Sequence, residues 1–169
     1  IYLLTLFKEI PDYSVAVPTM EASNKISFGY YGEGSDISIN TLTEIPDTVK
    51  TIITKERDKD TLNFWFTPYE MDSLIFTLTN EKLKVRDTFK VKSRKVAFDS
   101  LKISMSQNGN IEFDKPISLL SNTPLIRFDS TKIKLMDKDS IEIAVNVKLD
   151  SLRNLLNFDF KIDPDQNYR

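Results

Sequence analysis

Histidine and cysteine are both missing from the 169 residues. Without histidine the chain lacks the commonest general base and the commonest metal ligand. Without cysteine it has no thiolate nucleophile, no disulfide framework and no zinc site of the usual kind. A balanced charge, −2 overall with lysines and acids interspersed, provides no basic stripe to neutralise phosphates, so nucleic acid is not an expected partner. No apolar run approaches the eighteen or so residues of a membrane helix. Glycine occurs four times and tryptophan once, so each of those positions carries weight.

Alternation with period two dominates what is present, and helical periodicity is nearly absent. The strands expected in the first part of the chain are Tyr2–Phe7, Ile26–Tyr31, Asp36–Leu42, Val49–Thr54, Leu62–Phe66, Leu74–Thr79 and Thr88–Lys92. A second series covers Leu101–Met105, Asn110–Phe113, Leu125–Phe128, Lys132–Leu135, Ile141–Leu149 and Leu155–Ile162. Alanine is scarce while Val, Ile, Thr, Phe and Tyr are frequent, which favours strand over helix. Only Ser151–Leu156 has a passable helical pattern, and Pro11–Ala22 reads as a loop or edge excursion. The basic stretch Lys90-Val91-Lys92-Ser93-Arg94-Lys95 closes the first series. The expected organisation is therefore a leading strand and loop over 1–24, one β-sandwich over 25–96 and a second over 97–169.

Aspartate followed by serine or threonine recurs at Asp47, Asp60, Asp72, Asp87, Asp99, Asp129, Asp139 and Asp150. Chance pairing of 16 aspartates in this composition gives about three such dipeptides, and eight are present. The structural reading is that these side chains cap turns by bonding nearby backbone N–H groups and so punctuate strand starts. A second reading concerns modification. Asp-[Ser/Thr]-apolar resembles the O-glycosylation acceptor motif of exported Bacteroidota proteins, which makes Thr48, Thr61, Ser73, Ser100, Ser130, Ser140 and Ser151 candidate acceptors. Asp87-Thr88-Phe89 departs from that motif at its last position, which holds an aromatic ring where the other seven copies carry an aliphatic or β-branched residue.

Three further segments carry a family resemblance: Asn110-Ile111-Glu112-Phe113-Asp114-Lys115-Pro116-Ile117, Asp129-Ser130-Thr131-Lys132-Ile133-Lys134-Leu135, and Phe158-Asp159-Phe160-Lys161 with Asn167-Tyr168. Together they resemble a bacterial Ig-like domain of Bacteroidota envelope lipoproteins. Lys25–Tyr31 with Gly32, and Asp60–Phe66 with Asp72–Leu78, are similar to the preceding module of the same proteins. The resemblance implies an all-β chain of immunoglobulin-like β-sandwich modules in tandem, the second C-terminally incomplete. It also implies an outer-membrane location, anchored by lipid upstream of the visible residues, and a non-enzymatic scaffold or interaction role within a larger membrane protein assembly. The opening Ile1-Tyr2-Leu3-Leu4 has neither an initiator Met nor a signal peptide, so the chain is expected to be an excised segment.

Candidate sites stand beside plain structural roles. Phe64, Trp65, Phe66 and Tyr69 form the densest aromatic cluster, and alternation puts Phe64 and Phe66 on one face of a strand with Trp65 on the other. Core packing explains one face. An outward Trp65 with Tyr69, or Tyr31 elsewhere, would provide a partner anchor or a stacking platform for sugar, so a carbohydrate-binding module is the alternative function. Gly32-Glu33-Gly34 reads as a hairpin turn. Asp58 with Asp60, and Asp137 with Asp139, are too few oxygens for calcium. No pair of acids stands out for glycosidase chemistry and no base accompanies a hydroxyl nucleophile, so neither enzymatic activity nor a cofactor is expected.

Overall fold

A computed structural model describes residues 13–169, and the expected strand Tyr2–Phe7 lies outside them. The described residues are all-β, with antiparallel pairing throughout and a single 3-10 turn at Ser130–Lys132. Two compact units divide the chain, Ile1–Phe98 and Asp99–Arg169.

In the first unit the strands are β1 (Ser14–Val15), β2 (Thr19–Ala22), β3 (Lys25–Tyr31), β4 (Ile37–Thr41), β5 (Thr51–Lys55), β6 (Thr61–Phe66), β7 (Ser73–Asn80) and β8 (Val85–Lys92). One sheet runs β1-β3-β6-β5, with β2 sharing the β3 edge that β1 occupies, and the other runs β4-β7-β8. Pro18 falls between β1 and β2, where its missing N–H interrupts the edge. Leu62, Phe64 and Phe66 of β6 meet Leu74, Phe76 and Leu78 of β7 in one core. Phe76 stands edge-on to two rings of the opposite sheet, with centroids 5.0 Å from both Phe28 and Phe64. This is the face-to-face packing of a β-sandwich.

Two sequence expectations change here. Part of the stretch read as a loop, Pro11–Ala22, forms β1 and β2, and Met20 enters the core. These strands are too short for alternation to register. Gly32-Glu33-Gly34 is not a hairpin turn, because β3 and β4 belong to different sheets. It is a crossover in which Gly32 takes φ +80°. Gly34 is needed for room, since a Cβ there would sit on the ring of buried Tyr30. Asn80, fully buried at the end of β7, donates to the Glu33 carbonyl at 2.7 Å and accepts from the Leu83 N–H at 3.1 Å. One amide thereby ties the crossover to the β7–β8 turn.

In the second unit the strands are β9 (Ile103–Met105), β10 (Ile117–Ser121), β11 (Leu135–Met136), β12 (Glu142–Ile143), β13 (Asn146–Asp150) and β14 (Leu155–Asp159). The main sheet is β13-β14-β10-β9, and β11 pairs with β12 alone. β10 is central yet has no alternation to announce it, being Ile117-Ser118-Leu119-Leu120-Ser121 directly after Pro116.

The other departures have local causes. Asn110–Phe113 is a loop braced by Gln107, whose amide donates to the Lys115 carbonyl (2.8 Å) and accepts from the Glu112 N–H (2.7 Å). Leu125–Phe128 is unpaired, and the Leu125 N–H goes to the Asn154 side chain at 2.6 Å. Ile141–Leu149 breaks at Ala144 because β12 pairs with β11 whereas β13 pairs with β14. Ser151–Leu156 is a turn rather than a helix: Asp150 accepts from the Arg153 N–H (2.9 Å), and Asn154 adopts φ +59° before β14 begins.

The two main sheets repeat in detail. In the first unit Ile26, Ser27 and Phe28 stand opposite Phe64, Asn63 and Leu62. In the second, Ile117, Ser118 and Leu119 stand opposite Phe158, Asn157 and Leu156. The outer neighbour repeats too, with Ile53 opposite Phe64 and Val147 opposite Phe158. Each serine hydroxyl bonds its asparagine oxygen at 2.7 Å. From β4 onward the correspondence holds at a spacing of 94 residues: Leu42 N–H donates to the Ile75 carbonyl, and Met136 N–H donates to the Arg169 carbonyl, both at 2.8 Å.

Candidate functional site

Strand register separates the aromatic residues named as contacts. Trp65 stands opposite Lys25 on the outer face of the first sheet, behind the Phe64 and Phe66 face. It is nonetheless only 4% exposed. Its Nε1 donates to Thr54 Oγ1 at 2.9 Å, and the Lys25 ammonium lies 5.3 Å from the ring centroid. Lys25 also pairs with Glu21 (2.9 Å), so Trp65 belongs to a buried polar layer with Ser27 and Asn63. Burial pushes the Glu21 carboxyl up, yet its bond to Lys25 leaves it below the ordinary range. Tyr69 lies on the core side instead, edge-on to Phe66 with centroids 6.1 Å apart. Tyr31 is 65% exposed at the far end of β3, roughly 20 Å along the strand from Lys25 at about 3.3 Å per residue. The three residues therefore form no common platform, and Trp65 presents no free ring face for a sugar.

The Asp-Ser/Thr pairs sort by position. Asp129 caps the 3-10 turn, accepting from Thr131 N–H (3.1 Å) and Thr131 Oγ1 (2.6 Å), and those bonds hold its carboxyl below the usual range. Asp150 caps the turn before β14. At Asp139 the capping is done by its neighbour Asp137, which accepts from the Asp139 and Ile141 N–H groups, both at 2.9 Å. Thr48, Ser100, Ser130, Ser140 and Ser151 are exposed, whereas Thr61 and Ser73 are half-buried first residues of β6 and β7. Asp87, in the copy that departs from the acceptor motif, lies within β8 rather than at a strand start. Among the described residues no cluster of three or more acids assembles with metal-binding geometry.

The concavity that stands out lies wholly in the second unit. A half-open cleft of about 410 Å³ runs between the main sheet and the β11–β12 pair. Its walls are apolar, with Met105, Ile117, Ile133, Leu135, Phe158 and Phe160 prominent. In the first unit the counterparts of Ile117, Ile133, Phe158 and Phe160 are Ile26, Ile39, Phe64 and Phe66, all buried in the sandwich core. There the space is filled by Leu74, Phe76 and Leu78 of β7 and Val91 of β8. In the second unit Phe158 is half-buried and lines the cleft. The Tyr168 ring closes one side, edge-on to Phe160 at 5.2 Å and fixed by accepting the Asp163 N–H at 2.7 Å. Lys134, paired with Glu142 at 3.2 Å, stands at the rim.

Apolar exposure extends beyond the cleft. Leu101, Ile103, Phe113, Ile126 and Ile141 are all more than half exposed. β9 ends the main sheet, and every residue in it is exposed. Sequence reading missed these residues because strands were sought one at a time. The signal that could have found them is the self-similarity of Ile26-Ser27-Phe28 with Ile117-Ser118-Leu119, and of Leu62-Asn63-Phe64-Trp65-Phe66 with Leu156-Asn157-Phe158-Asp159-Phe160.

Such a cleft can hold apolar groups, with Lys134, Tyr168 and Arg169 as the polar side chains beside them. No helix among the described residues is long and apolar enough to cross a membrane. No protein-family model, curated protein or solved structure matches the chain.

Proposed function

We propose that the chain is a non-enzymatic interaction module, a scaffold that docks onto a partner protein through its second unit. The observation that carries this reading is the exposed β9 edge, flanked in sequence by the exposed Leu101 and carrying the exposed Ile103 and Met105. Apolar surface left exposed is unfavourable in water, at about 25 cal/mol per Å² uncovered, and where it gathers it marks interaction sites. An unpaired edge strand adds backbone donors and acceptors that a partner can satisfy. The resemblance to Ig-like domains of Bacteroidota envelope lipoproteins supports placing this docking in a larger outer-membrane assembly. It likewise supports O-glycosylation at the exposed acceptors Thr48, Ser100, Ser130, Ser140 and Ser151, since modification needs access.

Gentle extraction of the full-length protein from its native membrane, followed by mass spectrometry, tests the reading. A stoichiometric membrane-protein partner, lost when Ile103→Lys and Met105→Lys are introduced together, is the expected result. Recovery of the protein alone overturns docking. Peptides bearing no added mass at the five exposed acceptors overturn the glycosylation part by itself.

A further inference from the structure

We infer that the outer face of the β4-β7-β8 sheet is a docking surface for an acidic polysaccharide, held along a row of cations on β8. The site lies in the first unit and does not depend on the docking reading above.

The overall charge of −2 conceals a segregation. Residues 82–95 hold seven lysines and arginines against one acid, Asp87, a local balance of +6 that leaves −8 for the rest of the chain. Strand geometry then sorts that run. Val91 of β8 lies in the core and Phe89 packs against it, so alternation turns Arg86, Thr88, Lys90 and Lys92 outward. All four are exposed. Asp87 falls on the other side of the strand from this row. Among the described residues, Arg86, Lys90 and Lys92 take part in no ion pair. At about 3.4 Å per residue, Lys90 and Lys92 stand about 7 Å apart and the row from Arg86 is about 20 Å long.

What lies beside the row is neutral. On β7 the residues opposite Arg86, Thr88 and Lys92 are Thr79, Thr77 and Ser73. On β4, Ser38 and Asn40 follow, opposite Thr79 and Thr77. Half-buried Ile75, opposite Lys90, is the one apolar side chain these strands turn outward. The face thus joins a single line of positive charge to a band of hydroxyl and amide groups, with no acid and no aromatic ring among them.

Those features choose between anionic partners. A membrane surface meets a protein as a plane and is gripped by inserted apolar and aromatic side chains. Here the charge is one strand wide and no ring projects. Single-stranded nucleic acid stacks its bases on aromatic side chains, and the face provides none. A polysaccharide of uronate sugars is a linear polyanion whose remaining polar groups are hydroxyls. It matches cations in a line beside side chains that donate and accept hydrogen bonds. Attraction to the row would concentrate it at the face and weaken as salt rises. This mode needs no stacking on Trp65, whose burial prevents it. Lysines on a strand that ends its sheet also guard against edge-to-edge pairing, a role that predicts no ligand.

An octamer of galacturonate, titrated into the isotope-labelled full-length protein, tests the site. It is expected to shift the amide signals of Thr77, Thr79, Arg86, Thr88, Lys90 and Lys92, while neutral maltooctaose shifts none of them. Replacing Arg86, Lys90 and Lys92 together by Gln should weaken binding at least about tenfold and make it less sensitive to salt. These side chains are exposed, so an unchanged urea midpoint will show that the fold survives. Replacing Lys102, Lys138 and Lys148 by Gln, exposed lysines of the second unit, removes the same charge and should leave binding unchanged. Equal loss in the two triple variants, or no shift on the β7–β8 face, overturns the site. Tighter binding of duplex DNA or of phosphatidylglycerol vesicles, at equal charge concentration and the same salt, overturns the polysaccharide as its occupant.

Discussion

Gly34 and Glu33 sit side by side in the crossover from β3 to β4, and each is constrained by a different force. At Gly34 the constraint is volume. A Cβ would come within 1.9 Å of the Tyr30 ring, and Tyr30 is buried. Gly34→Ala should therefore cost about 1–3 kcal/mol, the usual penalty for forcing atoms into a packed site. Gly109→Ala is the comparison: its φ is +80° but its Cβ would meet nothing, so only backbone strain of roughly 1 kcal/mol remains. Urea midpoints of the two variants check the order. At Glu33 the constraint is charge. Its carboxylate accepts from the Ser35 hydroxyl at 2.6 Å, pairs with Lys82 at 3.1 Å and accepts from the Ser35 N–H at 3.2 Å, and these hold its pKa to about 2.

A depressed carboxyl stabilises the fold above its unfolded pKa and loses that contribution as pH falls through the folded one. For Glu33 the window lies between the ordinary value of 4.5 and about 2. The Glu33→Gln protein should thus show a flatter decline in stability over that range than the parent. An NMR titration placing the Glu33 carboxyl near 4.5 would refute the pairing. Trp65, meanwhile, is the chain's sole tryptophan. Trp65→Phe removes the donor to Thr54 and leaves a buried hydroxyl short of a partner, at a cost of about 1 kcal/mol.

Among the elements, β7 holds the first unit together. Its inward residues Leu74, Phe76 and Leu78 are all essentially inaccessible, and Phe76 contacts rings from two strands of the facing sheet. Phe76→Ala should destabilise the unit by about 3–5 kcal/mol, since the cavity it leaves is walled by rigid aromatic rings. Thermal or denaturant unfolding followed by Trp65 fluorescence would measure this in the correct unit. Reading this strand from the sequence was straightforward: Leu74, Phe76 and Leu78 alternate without a break. Reading β10 was not, because Ile117-Ser118-Leu119-Leu120-Ser121 does not alternate and its serines are buried. Ser118 is buried by its bond to Asn157, a partner 39 residues away that local pattern cannot indicate. Asn154 is a similar case. Its side chain accepts from the Leu125 N–H at 2.6 Å and donates to the Ser121 carbonyl at 3.0 Å and to the Thr123 carbonyl, so a residue within a helix-like stretch acts as a three-way tie.

Among the described residues each unit builds the same main sheet, and the first lays the three-stranded β4-β7-β8 sheet across it. Local stability follows buried apolar contact and backbone protection. The amides of β6 and β7 should therefore exchange far more slowly than those of β9 and β13, by a factor of about 100 or more if the openings differ by roughly 3 kcal/mol. Hydrogen exchange on the free protein measures this directly, and equal protection in the two units would contradict an open cleft.

Residue order by itself determined the all-β class, because alternating apolar residues with turn-forming Asp-Ser and Asp-Thr between them leave no continuous helical face to bury. It also determined that Phe64 and Phe66 face one way and Trp65 the other, since side chains alternate along any strand. Only the tertiary structure decided which outward residue is accessible. Lys25, itself paired with Glu21, and Thr54 cover Trp65 through cross-strand contacts, while Tyr31 at the strand end stays in water. Only the tertiary structure placed Ile117, Ile133, Phe158 and Phe160 around one cleft, because they come from segments far apart in the chain that strand pairing brings together.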